Sequence, residues 1–431
     1  MARSNHSAVG RAPASVRNST GRLEPLALAA IVLSFILAPL GPTANAIATG
    51  MLVLLAVCFV LARPSSARTA LPKALCVVIL LGLVVGLSNP NIYQIETGVL
   101  GLRKSGTILL ALIIGLSWAN NRRHPATVLW SLLVVSCATS LLMHLVFGDL
   151  ELALQRGAGE ATGSFDGEPR LQGIFAGPFH PAMASAFVIL AALPRSGLEV
   201  PRFFRFAGAV VGAWTLLETE VRTGLVAVAL GLILYLLTTS SASLYLRIIL
   251  ATPLVSTLLI MAAPLLPTSF GGFAALQSLL TNPFDSRFAY RYVTWDQALQ
   301  MISTRPLIGW GPGSAGDTMG PLFPAGGHVT SHNMFLKYAV EGGLPLAVLF
   351  GLLVIVLGIL VARGKSKRLG LQALLVLVVF GATGSSVEAV PVVIVLGTII
   401  GISASDNDEG QPLGTEDTNI QTQRNSKLAF N

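Results

Sequence analysis

Four arginines, two histidines and a glutamate stand out in this chain for the chemistry their side chains could do. Arg170 precedes Leu171-Gln172-Gly173-Ile174-Phe175, and His180 follows in Gly177-Pro178-Phe179-His180-Pro181. Arg222 stands in Glu220-Val221-Arg222-Thr223-Gly224. Arg287 and Arg291 are four apart, a spacing that puts both on one face of a helix. His332 and Asn333 follow Thr330-Ser331, and Glu341-Gly342-Gly343 comes shortly after. Guanidinium groups keep their charge and bind phosphate oxygens bidentately, so the arginines suit a phosphorylated lipid headgroup. They could equally pair with neighbouring acids, Arg222 with Glu218 or Glu220 and Arg170 with Glu168 or Asp166.

Thr330 or Ser331 can cap a helix that begins around His332. The positive end of that helix would hold the imidazole neutral, able to take a proton from a sugar hydroxyl. The competing role for His332 or Asn333 is simply to cap. Glu341 either buttresses Lys337 at i, i+4 or lines a cavity. Gly342, Gly343 and Pro345 break the helix and leave a short half-helix ahead of a membrane helix. His180 either braces a helix break or lines the same cavity. No carboxylates have metal-ligand spacing, so neither a metal nor a cofactor is expected. The turn from Gly309 to Gly313 lacks the Lys-Ser/Thr of a phosphate-cradling loop.

The elements that must position these residues are membrane helices. Of the 431 residues 53% are hydrophobic and only 11% charged, against about a quarter charged in soluble proteins. The expected fold is all-α, a polytopic integral membrane protein of about twelve spans: 25–41, 46–62, 71–88, 106–119, 126–147, 173–193, 206–219, 222–238, 244–266, 338–361, 369–385 and 389–403. The pairs 206–219/222–238 and 369–385/389–403 are the hardest to divide. With both termini in the cytoplasm, 19 of the 28 Lys and Arg fall on the inside, as the positive-inside rule requires. The net charge of +8 is therefore a topology signal, and no nucleic-acid partner is implied. Residues 1–24 and 404–431 read as disordered cytoplasmic tails around one transmembrane domain, 25–403. Ala44-Asn45-Ala46 resembles a signal-peptidase site, although a retained signal anchor is favoured. Cys58, Cys76 and Cys137, odd in number and set in apolar runs, read as buried small hydrophobes. Two extracytoplasmic loops exceed the rest, about 148–172 and 267–337, the second lying before the tenth span. Within the second, Phe288, Tyr292, Trp295, Leu299 and Ile302 recur on one helix face, with Asp285 or Ser286 as N-cap.

Over about residues 165–403 the chain resembles the O-antigen ligase and O-antigen polymerase superfamily of bacterial membrane glycosyltransferases. Arg170 to Phe175 with His180-Pro181 is similar to that family's Arg-x-x-Gly-x-Phe…Pro-Asn element, with Ala182 in place of Asn. Glu220 to Gly224 is similar to its Ser-Arg-x-Gly element, with Val221 in place of Ser. Trp295 to Ile302 and Pro306 to Gly313 resemble its loop motif. Ser331-His332-Asn333-Met334-Phe335-Leu336 with Glu341-Gly342-Gly343 resembles its most specific element. The resemblance implies a metal-independent, inverting transfer of a glycan from undecaprenyl diphosphate to an acceptor sugar hydroxyl on the extracytoplasmic face. The acceptor would be a glycan or lipid-linked glycan, and polymerase and ligase activities share these motifs. It further implies that Arg170 and Arg222 hold the pyrophosphate, with Arg287 and Arg291 beside them, and that His332 acts on the acceptor, supported by Asn333, Glu341 and His180. The setting would be the bacterial cytoplasmic (inner) membrane, with a flippase or chain-length regulator as a possible partner. The alternative is a twelve-span transporter of a polysaccharide or small solute. Against it stand the missing Gly-x-x-x-Asp-Arg pattern and an outer loop that transport does not need.

Overall fold

The structure is a computed structural model; it describes residues 23–37, 40, 42–62, 66–92, 94–118, 123–157, 164–165, 168–239, 286–316, 319–324, 326–364 and 366–405. The described chain is helical throughout. Its helices are α1 (Leu23–Leu37), α2 (Pro42–Ala62), α3 (Ala67–Val85), α4 (Ile95–Leu116), α5 (Arg123–Val146), α6 (Gly148–Gly157), α7 (Phe179–Ala191), α8 (Arg202–Glu218), α9 (Arg222–Thr239), α10 (Ser286–Thr304), α11 (Met334–Ala362), α12 (Lys367–Thr383) and α13 (Val390–Ser405). A two-residue antiparallel ladder pairs β1 (Ser164–Phe165) with β2 (Glu168–Pro169).

Five of these segments are long and apolar enough to cross a membrane: Ala44–Ala62, Ala67–Ser88, Ile95–Leu116, His124–Val146 and Met334–Ala362. Shorter apolar helices, among them Phe179–Ala191 and Val390–Ser405, pack between them. The expected span 244–266 lies outside the described residues, as do residues 1–22 and 406–431 of the two tails. Both doubtful pairs are truly divided, at 219–221 and at 384–389. The span expected to start at 106 begins at Ile95 instead, so Arg103 and Lys104 lie inside a helix. Charge alone does not end a helix, and no Pro interrupts this one.

The core is built on close helix crossings. α4 runs along α13, where Gly397 and Gly401 face Ala111 and Gly115. A Cβ on Gly401 would sit 2.6 Å from the Leu116 amide nitrogen, so only glycine permits the approach.

α11 breaks where the Gly-Gly-x-Pro sequence requires. Gly343 has φ 78° and ψ 175°, and Pro345 supplies no amide hydrogen. The carbonyls freed by the break accept from another segment: Trp310 N donates to Val340 O (2.8 Å) and Gly311 N to Glu341 O (2.9 Å). In return Leu344 N donates to Pro306 O (2.7 Å). The glycine-rich 306–313 turn thus replaces the missing helix bonds, as buried backbone must be satisfied at membrane depth. A Cβ on Gly343 would lie 2.6 Å from the Leu307 carbonyl, in a backbone region that is essentially glycine-only. Gly343→Ala should therefore cost at least about 1–3 kcal/mol. Gly351→Ala, where a new Cβ meets nothing within 4 Å, should leave the unfolding midpoint in detergent unchanged or raised.

Candidate active site at one end of the bundle

Arg170 is placed by a carboxylate on α6. Glu151 Oε1 accepts from the amides of Gln172 (2.8 Å) and Gly173 (2.6 Å), while its Oε2 meets His144 Nδ1 (2.9 Å). Burial pushes the Glu151 carboxyl up, but the His144 imidazole and the two amides outweigh it and hold it below the ordinary value. Gly173, at φ 61°, passes so close to Ser140 that no side chain fits. The segment so held docks on the end of α8: Leu171 N donates to Glu218 O (3.1 Å) and Arg170 Nε to Thr219 O (3.0 Å).

Glu220 takes a left-handed conformation, φ 53°, and Arg222 opens α9 immediately after it. The next residue, Thr223, bonds Thr383 at the end of α12 through their hydroxyls (2.9 Å). One residue back, the Ala382 carbonyl accepts from Asn333 Nδ2 (3.2 Å). Asn333 is the N-cap of α11, its Oδ1 accepting from the amides of Phe335 (2.8 Å) and Leu336 (3.0 Å). The expected caps, Thr330 or Ser331, do not serve, and Ser331 instead faces Ser385 (3.4 Å).

His332 therefore lies outside the helix, just before its cap, and is left-handed at φ 42°. Its half-buried ring meets the edge of Tyr290, with centroids 5.8 Å apart and planes at 62°. Tyr290 adjoins Arg291 on α10, and Arg287 lies one turn earlier in that helix. Hydrogen bonds and one ring contact thus tie together the segments that carry Arg170, Arg222, Asn333 and His332, and α10.

The other two expected residues have supporting places. The His180 ring stacks on Phe175 (6.2 Å, 3°), and its Nδ1 meets Gly177 O (3.2 Å), bracing the turn after Arg170. Glu341 is 1% exposed and lines no open cavity. Its Oε1 accepts from Lys337 Nζ (2.7 Å) and Gly313 N (2.8 Å), and its Oε2 from Ser105 Oγ (2.6 Å). Lys337, fully buried, also donates to Glu388 Oε1 (2.8 Å) and to the Ala315 carbonyl. The ammonium thus ties the half-helix of α11 to the 313–315 loop and to the 386–388 turn between α12 and α13, while Glu341 ties it to Ser105 of α4.

The expected apolar face of α10 is split between packing and exposure. Thr294, Ala298 and Ile302 are buried, Ala298 and Ile302 against Val329 and Val340, whereas Tyr292 (68%) and Leu299 (55%) are exposed. Small residues set the packed face because they admit a close neighbour, and the large ones turn outward. Glu151, Glu388 and Ser105 escaped the sequence reading. Glu388 had a signal, a lone acid between two apolar runs; Glu151 and Ser105 had none, since their partners are backbone amides and a residue far along the chain.

Fold and site together define a helical membrane protein with a basic, histidine-bearing end built from segments far apart in sequence. The O-antigen ligase family model matches residues 207–351, about a third of the chain, and so supports a likeness to the O-antigen ligase/polymerase superfamily. The matched region holds Arg222, Arg287, Arg291, His332, Asn333 and Glu341, while Arg170 and His180 precede it. No curated protein matches the chain. At the level of the family, that match supports a membrane glycosyl-transfer enzyme of polysaccharide assembly.

Removing Lys337 would leave two carboxylates buried against each other. Lys337→Ala should lose about 3–5 kcal/mol. Glu388→Gln, which leaves the Lys337–Glu341 pair intact, should lose clearly less when both are compared by thermal unfolding in detergent.

Proposed function

We propose that this protein transfers a glycan from a polyprenyl-diphosphate lipid to the hydroxyl of an acceptor sugar, at the extracytoplasmic face of the inner membrane. The observation that carries the reading is His332. A non-glycine residue in the left-handed region is sparsely populated, and such outliers persist where the surroundings hold them for a purpose. Here the Asn333 cap follows it, Tyr290 meets its ring, and the Thr223–Thr383 and Asn333–Ala382 bonds connect it to the segment that opens with Arg222.

In the proposed step the acceptor oxygen bonds to the donor's anomeric carbon as that carbon's bond to the phosphate oxygen breaks. The hydroxyl proton passes to His332, and the polyprenyl diphosphate departs. Attack from the face opposite the leaving group inverts the centre. Imidazole suits the proton transfer because it exchanges protons near neutral pH. Arg170 and Arg222, with Arg287 and Arg291 of α10, would hold the diphosphate and stabilise the charge that grows on it. Asn333 fixes the main chain at His332, Glu341 anchors the half-helix, and His180 braces the Arg170 turn.

The test is transfer by the reconstituted protein supplied with undecaprenyl-diphosphate-linked oligosaccharide and acceptor. His332→Ala should slow transfer by roughly 10²–10⁴-fold. Arg222→Ala should slow it by about 10²–10³-fold. Full activity in both variants, with unchanged unfolding midpoints, would sink the assignment.

A further inference from the structure

α2, α3 and α4 enclose a groove of about 1080 Å³, open to the side, on the face of α4 opposite the site just described. Gly101 and Ser105 of α4 face the 313 turn and Glu341, whereas Glu96, Arg103 and Leu110 line the groove. The other walls are apolar, formed by Val53 and Val57 of α2 and Leu81 and Val84 of α3. Arg103 is the exception. It sits inside a membrane-spanning segment, half-buried, and its Nε is buried without a hydrogen-bond partner among the described residues. A charge at that depth is costly unless it meets a counter-ion.

The geometry points to a bound glycerophospholipid with an amine-bearing headgroup, its phosphate on Arg103, its ammonium at Glu96 and its acyl chains along the groove. Three features select this occupant. Arg103 and Glu96 are seven residues apart on one helix face, a rise of about 10.5 Å. Side chains on a helix lean toward its N-terminus, so the long Arg103 side chain reaches toward exposed Glu96 and narrows that gap. The order of charges, acid nearer the helix end and base deeper, matches an ammonium lying outside a phosphate. From Arg103 the groove continues to Ile113, ten residues or about 15 Å, half the roughly 30 Å hydrocarbon core and hence the depth of one leaflet. The lipid would be distinct from the glycan donor, because none of the groove's lining residues belongs to the segments that carry Arg170, Arg222 or His332.

The full chain in detergent can be titrated with phosphatidylethanolamine, with phosphatidylglycerol of the same acyl chains, and with undecaprenyl phosphate, and the adducts counted by native mass spectrometry. Phosphatidylethanolamine should be retained several-fold over phosphatidylglycerol. Arg103→Ala should weaken its retention about tenfold, the scale of one charge-assisted contact. Glu96→Gln should erase the preference for the amine while phosphatidylglycerol still binds. Gly50→Phe tests the groove without touching a charge: a Cβ there meets nothing within 4 Å, so the ring would fill the space with the helix intact and lower retention of every lipid. If Arg103→Ala fails to fold, Gly50→Phe decides. Unchanged retention in the folded variants would overturn the inference. So would displacement of phosphatidylethanolamine by undecaprenyl phosphate at equal concentration, which would make the groove a polyprenyl berth.

Discussion

The site depends on one buried cation. Lys337 has no contact with solvent, yet it reaches two carboxylates and a carbonyl contributed by three separate parts of the chain. An ammonium without those partners would not be tolerated inside the bundle, and neither carboxylate would be tolerated without it. The three groups therefore form together or not at all. Their common effect is to hold the half-helix of α11 against the 313–315 loop and the 386–388 turn, with Glu341 reaching Ser105 of α4, and that half-helix is capped by Asn333. His332 precedes a short rod held at Lys337 and, at its start, by the bond from Asn333 to the Ala382 carbonyl.

The fold was largely legible in the sequence because the bilayer imposes a simple rule. Long apolar runs must be helical, and breaks such as Gly342-Gly343-Leu344-Pro345 announce themselves through backbone chemistry. The reading went wrong where a side chain's partner was remote. The apolar run alone starts this span at 106, because nothing local shows what Arg103 and Lys104 could face within a helix. The periodicity of α10 shows an apolar face, but packing against α11 also buries Ala298 and Thr294, and the sequence does not show which neighbour is coming. The arginines and His332 could be picked out by residue type and by resemblance. The bonds that tie their segments together could not, because they run through the Thr219, Thr383 and Ala382 positions, which carry no chemical signature.

Three non-glycine residues of the described chain adopt left-handed backbone, Arg195, Glu220 and His332. Two of them directly flank the proposed chemistry. Glu220 turns the chain so that α9 can open with Arg222, and His332 turns it so that α11 can open with Asn333. In both places a strained residue lies ahead of a helix start, where free amide groups and the helix dipole favour negative charge. An anionic leaving group would meet two such starts, independently of the arginines.

The exchange of hydrogen bonds between the 306–313 turn and the break in α11 also bears on how the protein is made. A helix interrupted in mid-membrane has exposed carbonyls that no lipid can satisfy. The segment that satisfies them precedes α11 in the chain, so it has left the ribosome first. The turn can therefore be waiting when Val340 and Glu341 emerge. A circularly permuted chain with the same contacts, but with the turn synthesised last, would have to insert a broken helix with nothing to close it.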